Sequence, residues 1–97
     1  MINVKVTPII SETGNIVKNH YIIHVEGGKF LQSYEDIVAY KPDDFNEKVV
    51  LDVGNWDASP TTRKWREKFL GESHLQTLVE LSSGDYEMKD LNDMEVE

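Results

Sequence analysis

Cysteine is absent from the 97 residues. That excludes disulfides, thiolate zinc sites and cysteine nucleophiles, and it agrees with a reducing compartment. Positive charge is scarce: ten Lys and Arg face eighteen Asp and Glu, for a net charge of −8. Such a balance disfavours general binding to nucleic acid or to anionic membranes. Long apolar runs are missing as well. The opening MINVKVTPII has no basic segment ahead of an apolar stretch, so no signal peptide or membrane span is expected. The three prolines fall at boundaries: Pro8 in or after a first strand, Pro42 in a turn and Pro60 at a helix start.

What is present reads as one domain, expected over residues 1–92, with an acidic tail at 93–97 that frays. Ser59-Pro60 is a helix entry. The serine side chain can accept a bond from the first turn, and proline at the first helical position loses none. TTRKWREKFL then runs unbroken to Gly71, a residue suited to the left-handed position past a helix end. Thr62, Trp65 and Phe69 share one face, which predicts burial of Trp65 and Phe69 against a sheet. Arg63 and Arg66 are expected to flank that stripe on one side, and Lys64 and Lys68 on the other. Ser73 and Gln76 have capping-box spacing for a second helix, with Leu75, Leu78, Val79 and Leu81 as its apolar stripe.

Ile2, Val4 and Val6 alternate with polar residues, which predicts a half-buried strand that ends at Pro8 or lies at an edge. Gly27-Gly28 separates two β-rich runs and suits a two-residue primed turn. That turn places Val25 opposite Phe30, Ile23 opposite Gln32 and Tyr21 opposite Tyr34. It puts His20, Ile22, His24, Leu31 and Ser33 on the other face. Ile37–Tyr40 and Lys48–Val53 read as a further strand pair, with Phe45 packing back from their turn. Tyr86 and Met88 mark a short last strand. The fold class expected is α+β: an antiparallel sheet of five or six strands with a helical hairpin packed on one face.

Chemistry-bearing patterns are few. His20 and His24 share a strand face four residues apart, ~13 Å at roughly 3.3 Å per residue, too far for one metal ion. His74 lacks HExxH spacing, and neither a phosphate loop, a GxGxxG turn nor a GxSxG elbow occurs. No metal, cofactor or catalytic residue is therefore expected. Asp52 and Asp57 could form a carboxylate pair, and with Trp56 and Arg63 they outline an alternative enzyme or ligand site. A helix-turn-helix reading fails because the second helix, HLQTLVELSS, offers no Lys or Arg to bases or phosphates.

Charge is unevenly spread. Residues 59–71 carry Arg63, Lys64, Arg66 and Lys68 against Glu67 alone, whereas residues 72–97 carry only Lys89 against eight acids. This makes Asp43, Asp44, Glu72, Glu80, Asp85, Glu87 and Asp90 the candidate partner-binding positions. Trp56, Arg63, Lys64, Arg66 and Lys68 are the alternative surface, and a nucleic-acid-binding accessory protein through Arg63, Lys64, Arg66 and Lys68 is a third reading, behind these two.

The segment WDASPTTRKWREKFLGES is similar to a family of small uncharacterised proteins of tailed bacteriophages with a WD-S-TT segment and a basic-aromatic helix ending in FLGE. Phe30, Gln32, Ser33 and Tyr34 match its F-x-QSY strand, Ser83, Gly84 and Tyr86 its SG-x-Y turn, and Leu91-Asn92 its closing LN. The resemblance implies a phage origin and action in the host bacterial cytoplasm, and it implies no catalytic residues. The function expected is a non-enzymatic accessory protein that binds and modulates or inhibits a bacterial host protein. A defence nuclease, inhibited as anti-CRISPR proteins do, fits an acidic surface that imitates nucleic acid. The sequence specifies no oligomeric state.

Overall fold

The computed structural model describes residues 4–93. The α+β fold is a six-stranded mixed sheet with two helices, in the order β1 (Lys5–Ile10), β2 (Ile16–Val25), β3 (Gly28–Ser33), β4 (Asp36–Pro42), β5 (Val49–Asp52), α1 (Pro60–Leu70), α2 (His74–Ser83) and β6 (Tyr86–Lys89). Spatial order follows chain order. Strands β1 to β5 form an antiparallel meander, and β6 joins β5 in parallel. The parallel pair departs from the wholly antiparallel expectation for a physical reason. The chain between β5 and β6 crosses over through both helices, so it re-enters in the same direction.

Both helices start and stop where the capping residues place them. Ser59 Oγ accepts from the Thr62 N–H at 3.1 Å, and Gly71 closes α1 with φ 73°. Ser73 Oγ accepts from the Gln76 N–H, and Gly84 closes α2 with φ 84°. Helix α1 lies over β3 and β4, and α2 lies over β6. The core is Leu31, Val38, Ala39, Leu51, Phe69 and Leu70, with Ile9, Ile22, Val49, Trp56, Leu81 and Tyr86 packed against it. Trp65 and Phe69 are buried, at 7% and 8% exposure.

Several expectations need correction. The β2–β3 turn is Glu26-Gly27, not Gly27-Gly28, with Val25 opposite Gly28 and Ile23 opposite Phe30. Gly27 takes φ 89° in the turn. Gly28 belongs to the strand, because a Cβ there would stand 2.5 Å from Tyr40 Oη and 2.7 Å from the Lys41 carbonyl oxygen. The register slips by two residues, so the same residues still share faces, but the side buried under the helices is that of His20, Ile22, Leu31 and Ser33, not the more apolar side of Tyr21, Ile23, Val25 and Phe30. On β1 the faces are exchanged. Ile9 reaches the core, whereas Val4 and Val6 are more than half exposed. The strand continues through Pro8 with a register break before Ile10. Phe45 does not pack back and is fully exposed. The acidic tail, apart from Asp93, lies outside the described residues, as does Ile2.

Candidate functional site

The junction of the two helices is built on Arg66. Thr62, Arg66, Phe69 and Leu70 recur at helical-face spacing, and all four are buried. Arg66 was expected to flank the stripe, but it is fully enclosed (0% exposed). Its Nη1 donates to the Trp56 carbonyl at 2.6 Å, and its Nη2 donates to His74 Nδ1 at 2.7 Å. A guanidinium only donates, so Nδ1 of His74 is the acceptor. Asp57 Oδ1 stands 3.5 Å from Nη1. The guanidinium also lies over the Trp56 ring, 4.9 Å from its centroid, and His74 stacks against that ring at 5.7 Å. Nε of Arg66 has no hydrogen-bond partner; the π face beneath the guanidinium offsets part of that cost. Burial lowers the Arg66 pKa.

The other basic residues of α1 are also engaged. Arg63 holds Asp57 in a bidentate pair at 2.7 and 2.8 Å. Lys68 meets Glu12 of the β1–β2 turn at 2.5 Å. Lys64 lies 4.8 Å from the centroid of Trp65. Arg63, Arg66 and Lys68 thus each stand within ion-pair distance of an acid of the same chain, which weakens the basic stripe that a phosphate backbone would meet. Asp52 and Asp57 bond separate partners. Asp52 is buried and accepts from the Leu91 and Gly54 N–H groups and from Asn55 Nδ2. Burial alone would raise its pKa, but these bonds, with Asn92, outweigh it and hold the carboxyl below the usual range. The Arg63 bond does the same for Asp57.

A second polar network joins α1 to the sheet. His20 Nδ1 donates to the Lys18 carbonyl at 2.9 Å, and its Nε2 is hydrogen-bonded with Ser33 Oγ at 2.9 Å. Ser33 in turn meets Thr62 Oγ1 at 3.1 Å, and Ser59 donates to Thr62. The Ser33–His20 pair resembles a nucleophile and base, but both are sealed, at 4% and 1% exposure. Its contacts tie helix to strand. Non-glycine residues in the left-handed region flank it, Asn19 (φ 65°) and Tyr34 (φ 58°). The Tyr34 N–H donates to the Asn19 carbonyl at 2.7 Å, and the Tyr34 ring meets His20 edge-on. Ser33, Tyr34, Ser59 and Thr62, which carry part of the resemblance noted in the sequence, thus converge on one junction.

The acidic candidates separate into two groups. Glu72 accepts from the Thr77 and Tyr86 hydroxyls, and burial together with this carboxylate pushes the Tyr86 phenol up. Glu80 bonds Gln76, Glu87 pairs with Lys89 at 3.3 Å, and Asp90 caps the Asn92 and Asp93 N–H groups. Asp43, Asp44 and Asp85 are exposed and converge with Glu47 on a cleft of about 700 Å³, which Lys29, Lys41 and Lys48 also line. Phe45 stands at its wall.

The feature that sequence reasoning missed is α2. Its inner side carries His74, Thr77 and Leu81, whereas Leu75 (72%), Leu78 (38%) and Val79 (54%) are exposed. The periodicity locates the stripe but cannot say which side of the helix meets the body. Two polar anchors decide it: His74 on Arg66 and Trp56, and Thr77 on Glu72.

No group of three His, Asp or Glu residues comes to metal-binding spacing among the described residues. No described helix is long and apolar enough to cross a membrane. The architecture defines a small α+β protein whose meander is closed by a helical crossover and whose second helix turns apolar residues outward. The chain belongs to a family of unknown function, DUF8033, whose family model matches residues 4–87. No curated protein and no solved structure matches it.

Proposed function

We propose that the protein is a non-enzymatic binding module that presents α2 to an apolar groove on a partner protein. One observation carries the reading: Leu75, Leu78 and Val79 lie outward at helical spacing, the pattern of a helix that docks in a groove. A helix whose polar residues are tied inward and whose apolar residues face water costs solubility without a folding gain. The partner's groove is rimmed by basic residues, because the chain carries a net charge of −8. That charge steers approach rather than supplying most of the affinity. Asp43, Asp44 and Asp85, all exposed at one cleft, contribute to the steering. The bacteriophage resemblance supports a partner protein in the bacterial host cytoplasm, modulated or inhibited by the contact.

The test is affinity capture from bacterial lysate with the parent chain and with a Leu75→Asp/Val79→Asp variant, each checked for its circular dichroism and melting temperature. A partner bound by the parent and lost by the folded variant supports α2 as the contact. Equal capture by both overturns it. Neutralising Asp43, Asp44 and Asp85 should chiefly slow association, and added salt should do the same. If instead Arg63, Lys64 and Lys68 govern binding, the cationic helix is the contact surface.

A further inference from the structure

The sheet has two edges among the described residues, β1 and β6, and they differ. The β1 edge is interrupted by Pro8, which has no N–H to donate, and by a register break before Ile10. The β6 edge has neither. The Lys89 carbonyl accepts from the Val53 N–H at 2.9 Å, so the backbone groups of Glu87 and Lys89 turn toward β5. By the alternation of a strand, those of Tyr86 and Met88 turn outward. Among the described residues they form an open row at the rim of the sheet.

We propose that β6 pairs with β6 of a second copy of this chain, antiparallel and centred on Met88. In that register Met88 faces its own equivalent, with both outward-turned groups bonded. Glu87 of each copy then falls opposite Lys89 of the other, in the closely spaced non-bonded pair where side chains interact most strongly. The strand is thus complementary to itself in charge, and it is so only in the antiparallel sense that a two-fold axis demands. The axis stands perpendicular to the sheet, so both copies of α2 lie on one face of a continuous sheet. The pairing is short, because Asp90 caps the Asn92 and Asp93 N–H groups and turns the chain away. The dimer is therefore reversible on dilution.

Within each chain Glu87 already meets Lys89 at 3.3 Å, so the experiment must separate contacts within a copy from those between copies. Sedimentation velocity over a wide concentration series at physiological salt does so with two single variants. Glu87→Lys places like charges opposite each other at both pairs of its own dimer, and Lys89→Glu does the same. Each alone should dimerise about tenfold or more weakly than the parent. Mixed, they make both pairs complementary, and a heterodimer should form at about the parent's strength. Contacts within one chain cannot produce that rescue. A parent that stays monomeric throughout overturns the proposal. So does a mixture that fails to associate, or a Glu87→Lys chain that dimerises like the parent.

Discussion

Helices α1 and α2 are near in length and alike at their ends, yet they use their sides in opposite ways. Each begins at a serine cap and ends at a left-handed glycine. Helix α1 buries Trp65, Phe69 and Leu70 together with a whole arginine, whereas α2 encloses only Thr77 and exposes three large apolar residues. Caps are local and read directly from neighbouring residues. Which side of a helix is buried depends on what lies beneath it. Under α1 lie the apolar strands β3 and β4. Under α2 lie β6, with its Tyr86 hydroxyl, and the Glu72 carboxylate that this hydroxyl meets.

The contrast is broken most directly in the core. Phe69→Ala should destabilise the fold by about 3–5 kcal/mol in denaturant unfolding, the range for removing a buried aromatic ring. A change below about 1 kcal/mol would place that ring in water and make the two helices equivalent. Next in size is Arg66. Replacing it with alanine strands the Trp56 carbonyl and His74 Nδ1 and opens a cavity beneath Trp56. The expected loss is about 3 kcal/mol, the low end for breaking a buried charged contact. Arg66→Lys should recover only part of it, because one ammonium cannot reproduce the planar fork that reaches both acceptors. Full recovery in urea titration would show that charge alone matters at the junction.

Much of the fold was legible because its determinants are short-range. Ser59-Pro60 and Gly71 delimit α1, and the strands of the meander follow from a period of two, although that period does not say which face the helices cover. The two-residue slip of the β2–β3 hairpin has a cause no local pattern contains. Gly28 is required by Tyr40, twelve residues on and one strand over, whose hydroxyl bonds the Gly27 carbonyl at 3.1 Å. The site was less legible. Arg66 has the helical spacing of a core residue, but its charge argued for the surface until Trp56, Asp57 and His74 were seen to enclose it. Asp52 looked like half of a catalytic pair and proved to be the acceptor that ties Leu91 to the end of β5. Asn92, from the LN pair, has a similar task. Its amide exchanges two bonds with the Ile37 backbone, at 2.7 and 2.9 Å, beyond the point where β5 stops pairing with β4.

Acid sharpens the comparison at an intermediate size, because the depressed carboxylates anchor the approach to α1. Asp52 and Asp57 both titrate below the ordinary carboxylate range in the folded chain. A lowered folded pKa means that the unfolded chain takes up the proton first. The stabilisation is then fully present above the unfolded value near ~4 and is lost as pH falls through the folded values. The midpoint of unfolding should drop as pH falls below about 4, and Asp52→Asn should flatten that slope while lowering stability at neutral pH by roughly 2 kcal/mol. An unchanged acid limb in the variant would show that Asp52 is not held low. Thermal melts across this pH range, read by circular dichroism, make the measurement.

The smallest effect is expected on α2, and its smallness is the point. Leu75→Ser and Val79→Ser remove apolar surface that water already reaches, so each should change stability by less than about 0.5 kcal/mol. Serine is a poorer helix former than leucine by a few tenths of a kcal/mol, so a slight loss is the helix term and not a packing term. The inner residue provides the control. Thr77→Val keeps the shape but removes the hydroxyl that bonds Glu72 at 2.7 Å. It leaves Glu72 with the Tyr86 hydroxyl alone at this junction, and it should cost about 1–2 kcal/mol. The order should therefore be inverted relative to α1, where the apolar Phe69 is expected to cost the most. If Leu75→Ser and Val79→Ser each cost as much as Phe69→Ala, the stripe is packed in solution and α2 is an ordinary core helix. If Thr77→Val costs more than either, a polar residue fixes the roll of the helix, and its leucines are left free for another surface.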